Sequence, residues 1–319
     1  MKATVLGAGH WGLALASVLA SNKHDILVYA RDINKVNDIN LNHKSVYLSN
    51  HILSEFISAT NNLEEALNFS DIIIISLPVV AVYDTLKDYL KKYNNKTYVF
   101  TSKGLYKSQT MSSLFFNVDK NLRLCVLSGP SFSVEVIEKK NTAVVVASNN
   151  IDCAKEIQTL FSNNYFRVYT STDIIGVEIC GAIKNVFAII CGMVDGAKMG
   201  SNTKNALITR GISEMKNIIT FFKGDTNTLF GLAGIGDIML TCNSFESRNY
   251  SYGYSYVSGK KSEASGVVEG LNTIKEIHKI SLDNNISMPI TNSLYQVLFE
   301  NGDIKQIGFD LMNRKLKSE

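Results

Sequence analysis

The chain lacks any Cys-x-x-Cys pair, any large excess of charge of one sign, and any apolar run of membrane-spanning length. Its five cysteines (Cys125, Cys153, Cys180, Cys191 and Cys242) are odd in number and irregularly spaced. That argues against a disulfide framework and reads as reduced, buried thiols of a cytosolic protein. The formal net charge is +3 over 319 residues, and the lysines are scattered. A nucleic-acid footprint needs clustered basic residues, so nucleic acid is not an expected partner. The most apolar stretch, Ile179 to Val194, spans 16 residues and is interrupted by Lys184 and Asn185, which is short for a membrane span. The first strand-like run begins almost at Met1 and leaves no room for a signal peptide. Neither an internal repeat nor a low-complexity tract is present. With 45% apolar and 19% charged residues, the composition is that of a globular protein, expected in the cytoplasm and without membrane insertion.

A chain of 319 residues exceeds the size at which a single core usually stops growing, so two domains are expected. The first half alternates strand-like runs, at 3–6, 26–29, 72–76, 98–101, 122–127 and 142–147, with helical stretches such as 63–69 and 80–92. Ile72-Ile73-Ile74-Ile75 suits a strand buried on both faces, as in a parallel sheet. Alternation of this kind predicts a doubly wound α/β domain over 1–168. Beyond about residue 172 the periodicity is helical, near 174–195, 205–223, 267–284 and 290–299, which predicts an all-helical domain over 169–319. The polar, Lys-rich tail after Phe309 is expected to fray.

What the chain does have is concentrated at its start. An apolar strand runs directly into Gly7-Ala-Gly-His-Trp-Gly12, and a helix-forming run, Leu13 to Ala20, follows at once. Strand, glycine turn and helix in that order are the context a Rossmann-like dinucleotide motif requires. Gly7 permits the tight turn, Gly9 lets backbone approach a pyrophosphate, and Gly12 lets the helix pack close to the strand. The helix start then offers free N–H groups to the phosphates. Arg31 and Asp32 follow the second strand, where the adenosine ribose should lie. An acid there accepts from the ribose 2′-OH and an arginine accommodates a 2′-phosphate. Equally, Asp32 could cap a helix and Arg31 could be solvated, so cofactor choice stays open between NAD and NADP.

Three further strand ends lead into loops of unusual content: Ser76-Leu77-Pro78, Thr101-Ser102-Lys103-Gly104 and Ser128-Gly129-Pro130-Ser131-Phe132. Lys103 could approach a phosphate or carbonyl oxygen, or be a solvated loop lysine. The serine loop could serve a substrate or simply turn the chain. In the helical half, Ile179 to Val194 is apolar or small all round except at Lys184-Asn185, and a helix apolar on every face is buried. Burial favours a neutral lysine, which suits general acid–base work; the alternative is an ammonium that snorkels to solvent. Asn185 beside it and Asp195 at the end of the segment favour function. Asp237 closes the glycine-rich run Gly231-Leu-Ala-Gly-Ile-Gly-Asp237, where it could pair with Lys184 or cap a helix. Ser247-Arg248-Asn249 combines a cationic fork with two short polar side chains, a composition suited to phosphate.

Together these segments resemble the bacterial-type NAD(P)-dependent glycerol-3-phosphate dehydrogenases along essentially the whole chain. The resemblance is carried by Gly7–Gly12, Thr101–Gly104, Ser128–Phe132, Gly181-Ala-Ile-Lys-Asn-Val186, Gly231–Asp237, Ser247–Asn249 and Val267-Val-Glu-Gly270, in family order. It implies that Lys184 is the catalytic lysine, with Asp237 beside it. It further implies substrate contacts at Lys103, Gly129, Ser131, Lys184, Asp237, Ser247, Arg248 and Asn249. Cofactor contacts are implied at Gly7, Gly9, His10, Trp11, Gly12, Arg31, Lys103, Ser133, Arg248, Val267 and Glu269. His10 and Ser133 stand where the family carries small residues, and Asp32 sets a negative charge beside Arg31.

The implied reaction is reversible hydride transfer between NAD(P)H and dihydroxyacetone phosphate, giving sn-glycerol 3-phosphate for phospholipid synthesis, with no metal. Two copies of the chain could pair as a homodimer. The competing readings are another two-domain dehydrogenase, acting on a 2-keto acid or forming an opine, and a non-catalytic NAD(P)H-binding module.

Overall fold

Short apolar strands and intervening helices assemble into one eight-stranded sheet in a computed structural model, which describes residues 1–48, 51–260, 266–305, 308 and 313. The strands are β1 (Lys2–Leu6), β2 (Asp25–Tyr29), β3 (Ile57–Thr60), β4 (Ile72–Ile75), β5 (Thr97–Phe100), β6 (Arg123–Ser128), β7 (Thr142–Ala147) and β8 (Phe166–Ser171). Their spatial order is β3-β2-β1-β4-β5-β6-β7-β8. The first six run parallel, β7 pairs antiparallel with β6, and β8 pairs parallel with β7. All four isoleucines of β4 are buried, as a strand covered on both faces demands.

Seven helices belong to this layer: α1 (His10–Ser21), α2 (Ile33–Asn42), α3 (Leu63–Phe69), α4 (Val79–Leu86), α5 (Met111–Val118), α6 (Ser133–Ile137) and α7 (Ile151–Phe161). The doubly wound α/β class expected from the alternation is what forms. Two strands go beyond the sequence reading, and both lie at edges of the sheet. β3 is only four residues, Ile-Ser-Ala-Thr, and β8 alternates buried with exposed positions. Edge strands are kept short and polar, so neither presents a continuous apolar run.

The chain divides into two compact units, Met1–Lys103 with Gln109–Glu178, and Gly104–Ser108 with Ile179–Glu319. The second is built from α8 (Ile174–Gly196, most of which lies in it), α9 (Ser201–Phe221), α10 (Asp237–Thr241), α11 (Arg248–Ser258), α12 (Glu269–Asp283) and α13 (Pro289–Phe299). α8 is longer than the apolar stretch read from sequence, at 23 residues with a mean hydropathy of 2.0 in its most apolar window. By length and composition it could cross a membrane, yet 94% of that window is buried inside the protein. Around it the helices approach very closely. A Cβ at Gly192 would fall 2.0 Å from the Tyr250 carbonyl oxygen, and one at Gly253 would fall 1.9 Å from that of Ile189. α8 and α11 therefore touch backbone to backbone, which only glycine permits. Apart from residue 313, the tail beyond Phe309 lies outside the described residues.

Candidate active site

β1 sits between β2 and β4, where the strand order reverses direction, and open α/β sheets bind ligands at that switch point. Gly7 has φ +118°, and a Cβ there would lie 2.7 Å from the Ser76 carbonyl oxygen. At Gly12 a Cβ would meet the Gly7 carbonyl oxygen at 2.0 Å, whereas at Gly9 nothing lies within 4 Å. Two glycines are thus required by packing, and the third faces open space at the start of α1, where the first-turn N–H groups lack intrahelical acceptors. The Trp11 indole Nε1 is buried without a hydrogen-bond partner among the described residues. A cradle, a helix start and an orphaned buried donor fit a dinucleotide pyrophosphate. His10, the first residue of α1, packs its ring on Tyr47 with centroids 4.8 Å apart.

At the end of β2, Arg31 is exposed. Asp32 is the N-cap of α2, its carboxylate accepting from the Asn34 N–H at 3.0 Å. Of the two roles the sequence allows Asp32, capping is the one formed.

The loops that follow β4, β5 and β6 are stitched to one another. The Thr101 hydroxyl donates to the Ile75 carbonyl at 2.9 Å, and the Ser102 hydroxyl donates to that of Leu77. Lys103 Nζ approaches the Gly129 carbonyl at 3.5 Å, and the Ser131 hydroxyl donates to the same oxygen at 3.1 Å. Gly129 has φ +141°, and a Cβ there would press on Val144 of β7 at 3.0 Å, so the turn needs glycine. Lys103, Gly129 and Ser131 therefore share one locus, and Ser133 opens α6 just beyond it.

In the helical unit, Lys184 Nζ donates to Asp237 Oδ1 at 2.6 Å and to Thr241 Oγ1 at 2.9 Å. Thr241 Oγ1 lies 3.2 Å from the same carboxylate oxygen. Lys184 is 7% exposed and Asp237 1%, so the snorkelling alternative does not form. Asp237 reaches this position because the preceding run breaks helical geometry. Gly234 takes φ −91° and ψ −107°, and a Cβ there would lie 2.1 Å from the Leu229 carbonyl oxygen. Asp237 then opens α10, where no side chain caps the helix; its carboxylate faces Lys184 instead. Charges withdrawn from water in this way persist only when paired and hydrogen-bonded. The sequence marks the segment Leu240-Thr-Cys-Asn-Ser without giving Thr241 a role, although its position one turn after Asp237 puts the two on one helix face. Asp195 does not join this cluster; its carboxylate pairs with Lys204 at 2.8 Å and accepts from the Tyr250 hydroxyl.

Ser247 is the N-cap of α11, its hydroxyl accepting from the Tyr250 N–H at 3.3 Å. Arg248 opens that helix and is exposed, its guanidinium lying against Gly266, where a Cβ would fall 2.6 Å from Nη1. Asn249 Oδ1 accepts from the Gly270 N–H at 2.9 Å. A Cβ on Gly270 would also lie 2.9 Å from the Asn185 carbonyl oxygen. The starts of α11 and α12 thus meet α8 beside Lys184. Glu269 opens α12, and Val267 is exposed just before it.

Residues 2–154 match the family model described as NAD-dependent glycerol-3-phosphate dehydrogenase N-terminus, and residues 173–308 match that of the C-terminus. The chain belongs to the NAD-dependent glycerol-3-phosphate dehydrogenase family. It is 38% identical to the glycerol-3-phosphate dehydrogenase (NAD(P)+) of Staphylococcus haemolyticus, over 100% of this chain and 99% of that protein. The identically named protein of Staphylococcus aureus strain USA300 is 39% identical with the same coverage. The crystal structure of glycerol-3-phosphate dehydrogenase from Coxiella burnetii superposes with a TM-score of 0.93 at 33% identity, covering 98% of this chain and 99% of that one. The family's N-terminal model takes in the glycine loop, Lys103 and Gly129–Ser133, and its C-terminal model takes in Lys184, Asp237, Thr241 and the starts of α11 and α12.

Proposed function

We propose that this chain interconverts dihydroxyacetone phosphate and sn-glycerol 3-phosphate with NADP(H) or NAD(H), and that Lys184 is its proton-transfer group. The observation that carries this reading is the buried Lys184–Asp237 pair at 2.6 Å, a positioned acid inside an apolar helix with no other charge between Ile179 and Val194. In reduction Lys184 gives a proton to the oxygen developing at C2, and in oxidation it takes one back. Asp237 and Thr241 hold the ammonium in place and offset its burial. Arg248, with Ser247 and Asn249, anchors the substrate phosphate, and that remote binding orients C2. Lys103, Gly129 and Ser131 contribute to the substrate as well.

Residues 1–168 carry the dinucleotide contacts at Gly7, Gly9, His10, Trp11, Gly12, Arg31, Lys103 and Ser133. Residues 169–319 add Arg248, Val267 and Glu269 to them, together with the acid–base pair. The nicotinamide, when bound, supplies the hydride. The product feeds phospholipid synthesis. Five buried cysteines, none in a disulfide, support a reducing, cytoplasmic location.

The test is oxidation of NADPH and of NADH by the purified protein with dihydroxyacetone phosphate, beside a panel of 2-keto acids. Turnover that requires dihydroxyacetone phosphate is expected. Turnover with a keto acid alone, or binding of cofactor without any turnover, would replace this reading with one of its two rivals.

A further inference from the structure

Cys125 on β6 and Cys153 in the first turn of α7 are 28 residues apart in the chain, and their sulfurs lie 3.2 Å apart. Bringing them to the ~2.05 Å of a disulfide asks for a movement of about one ångström. Two charged side chains complete the group. Arg123 stands two residues before Cys125, on the same side of the strand, and Glu156 stands three residues after Cys153, on the same face of the helix. The two form an ion pair.

The Arg123 guanidinium also hydrogen-bonds the Cys153 sulfur. The Cys125 thiol, donating to that sulfur, and then the guanidinium hold Cys153 below the ordinary thiol range in spite of its burial. The same thiol–thiol bond, with burial, pushes Cys125 up. A sulfur favoured as thiolate beside one kept as thiol is the arrangement of an attacking cysteine next to a resolving one. Cys125 is 0% exposed and Cys153 1%, yet Arg123, which touches the Cys153 sulfur, has a side chain 46% exposed. Displacing that one side chain opens the sulfur to an oxidant little larger than water.

We infer that Cys153 and Cys125 form an oxidisable dithiol that takes hydrogen peroxide and closes to a reversible disulfide fastening β6 to α7. The Cys153 thiolate attacks one peroxide oxygen, the O–O bond breaks, and the departing hydroxide takes up a proton to leave as water. Cys153 is then a sulfenic acid. The Cys125 sulfur, giving up its proton, attacks the Cys153 sulfur; the S–S bond forms, the S–O bond breaks, and a second water leaves. Two thiols are oxidised by two electrons and one peroxide is reduced to two waters. A dithiol reductant reverses the bridge by exchange and becomes a disulfide itself. Disulfides of this transient kind are the ones compatible with a reducing compartment.

The test treats the folded, fully reduced whole chain with a small excess of hydrogen peroxide, then blocks the remaining thiols and maps them by peptide mass spectrometry. Two of the five thiols should disappear, as a Cys125–Cys153 bridge within one chain, and dithiothreitol should restore both. Cys125→Ser removes the resolving thiol and should stop Cys153 at a sulfenic acid that dimedone traps. Arg123→Met, a change at a half-exposed side chain that reports even if Cys125→Ser fails to fold, should slow bridge formation about tenfold, because the thiolate is the nucleophile and the guanidinium sustains it. Five thiols still free after peroxide treatment overturn the inference. So does a bridge between Cys191 and Cys242, whose thiols also hydrogen-bond each other, with Cys125 and Cys153 left reduced, and so does an unchanged rate in Arg123→Met.

Discussion

Lys184 and Asp237 are 53 residues apart in the chain and 2.6 Å apart in space, with the Thr241 hydroxyl within hydrogen-bonding distance of both. A pair this buried carries two separable consequences. Lys184→Ala should lower kcat by about 10²–10⁴, the usual worth of a positioned acid–base group, with little change in cofactor affinity. It should also destabilise the fold by about 3–5 kcal/mol, because the Asp237 carboxylate is left buried without its cation. The double variant Lys184→Met with Asp237→Leu removes both charges. It should recover most of the thermal stability and none of the activity. Near-normal kcat in the single variant would rule Lys184 out as the proton donor.

The first half of this arrangement is legible in the sequence because its signals are local. A strand running into Gly7-x-Gly9-x-x-Gly12, and isoleucine runs long enough to be buried on both faces, announce a parallel sheet before any contact is known. Lys184 is legible for a similar reason, being a cation where the helix has no polar face. What escapes is whatever depends on a distant element. Thr241 matters only because α8 brings Lys184 against α10. Gly192 and Gly253 look ordinary until their backbones meet across α8 and α11. Asp32 reads as a ligand or a cap from sequence, and the N–H group it accepts from makes it a cap; Ser247, read there only as a substrate contact, also caps a helix. The edge strands β3 and β8 carry too little apolar pattern to stand out.

Arg248 is exposed at the first position of α11 and makes no ion pair among the described residues, so its loss should cost the fold little. Arg248→Lys keeps the charge and gives up the bidentate fork. The expected result is a KM for dihydroxyacetone phosphate raised by about tenfold or more, the scale of a charge-assisted hydrogen bond, with the melting temperature nearly unchanged. An unchanged KM with a lowered melting temperature would make Arg248 a structural residue.

Glu178 near the start of α8 accepts from the Ser112 N–H at 3.0 Å and from the Ser112 hydroxyl. Burial outweighs these bonds and pushes its carboxyl up to about 7. An unfolded glutamate titrates near about 4.3, so between these values the folded chain holds a proton that the unfolded chain has released. The stabilising contribution is therefore complete below the unfolded value and is lost as pH rises through 7. Glu178→Gln is neutral throughout. Its melting temperature relative to the parent should climb as pH rises from about 5 towards about 7, at most by the equivalent of about 1.4 kcal/mol per unit of pH, and level off above that. A difference independent of pH would show that Glu178 does not titrate in this range.

Trp11 is the only tryptophan in the chain, it lies between Gly9 and Gly12 of the glycine loop, and its indole N–H is buried without a hydrogen-bond partner among the described residues. Leaving a buried donor unsatisfied costs about 1–3 kcal/mol, so a ligand oxygen arriving at this loop would relieve it. Reduced nicotinamide absorbs where indole emits, so a bound cofactor should quench Trp11 and brighten its own emission by energy transfer. Excitation at the red edge of the indole band keeps the 14 tyrosines out of the signal. Titration with NADPH and with NADH should give saturable quenching. Trp11→Phe, which keeps a ring in the same packing and removes the orphaned N–H, should abolish the energy transfer. Its melting temperature should be no lower than the parent's without cofactor, and the stabilisation gained on adding NADPH should shrink. A flat fluorescence response to both cofactors at millimolar concentration, from protein shown to be folded, would mean that the glycine loop at the end of β1 is not where a dinucleotide binds.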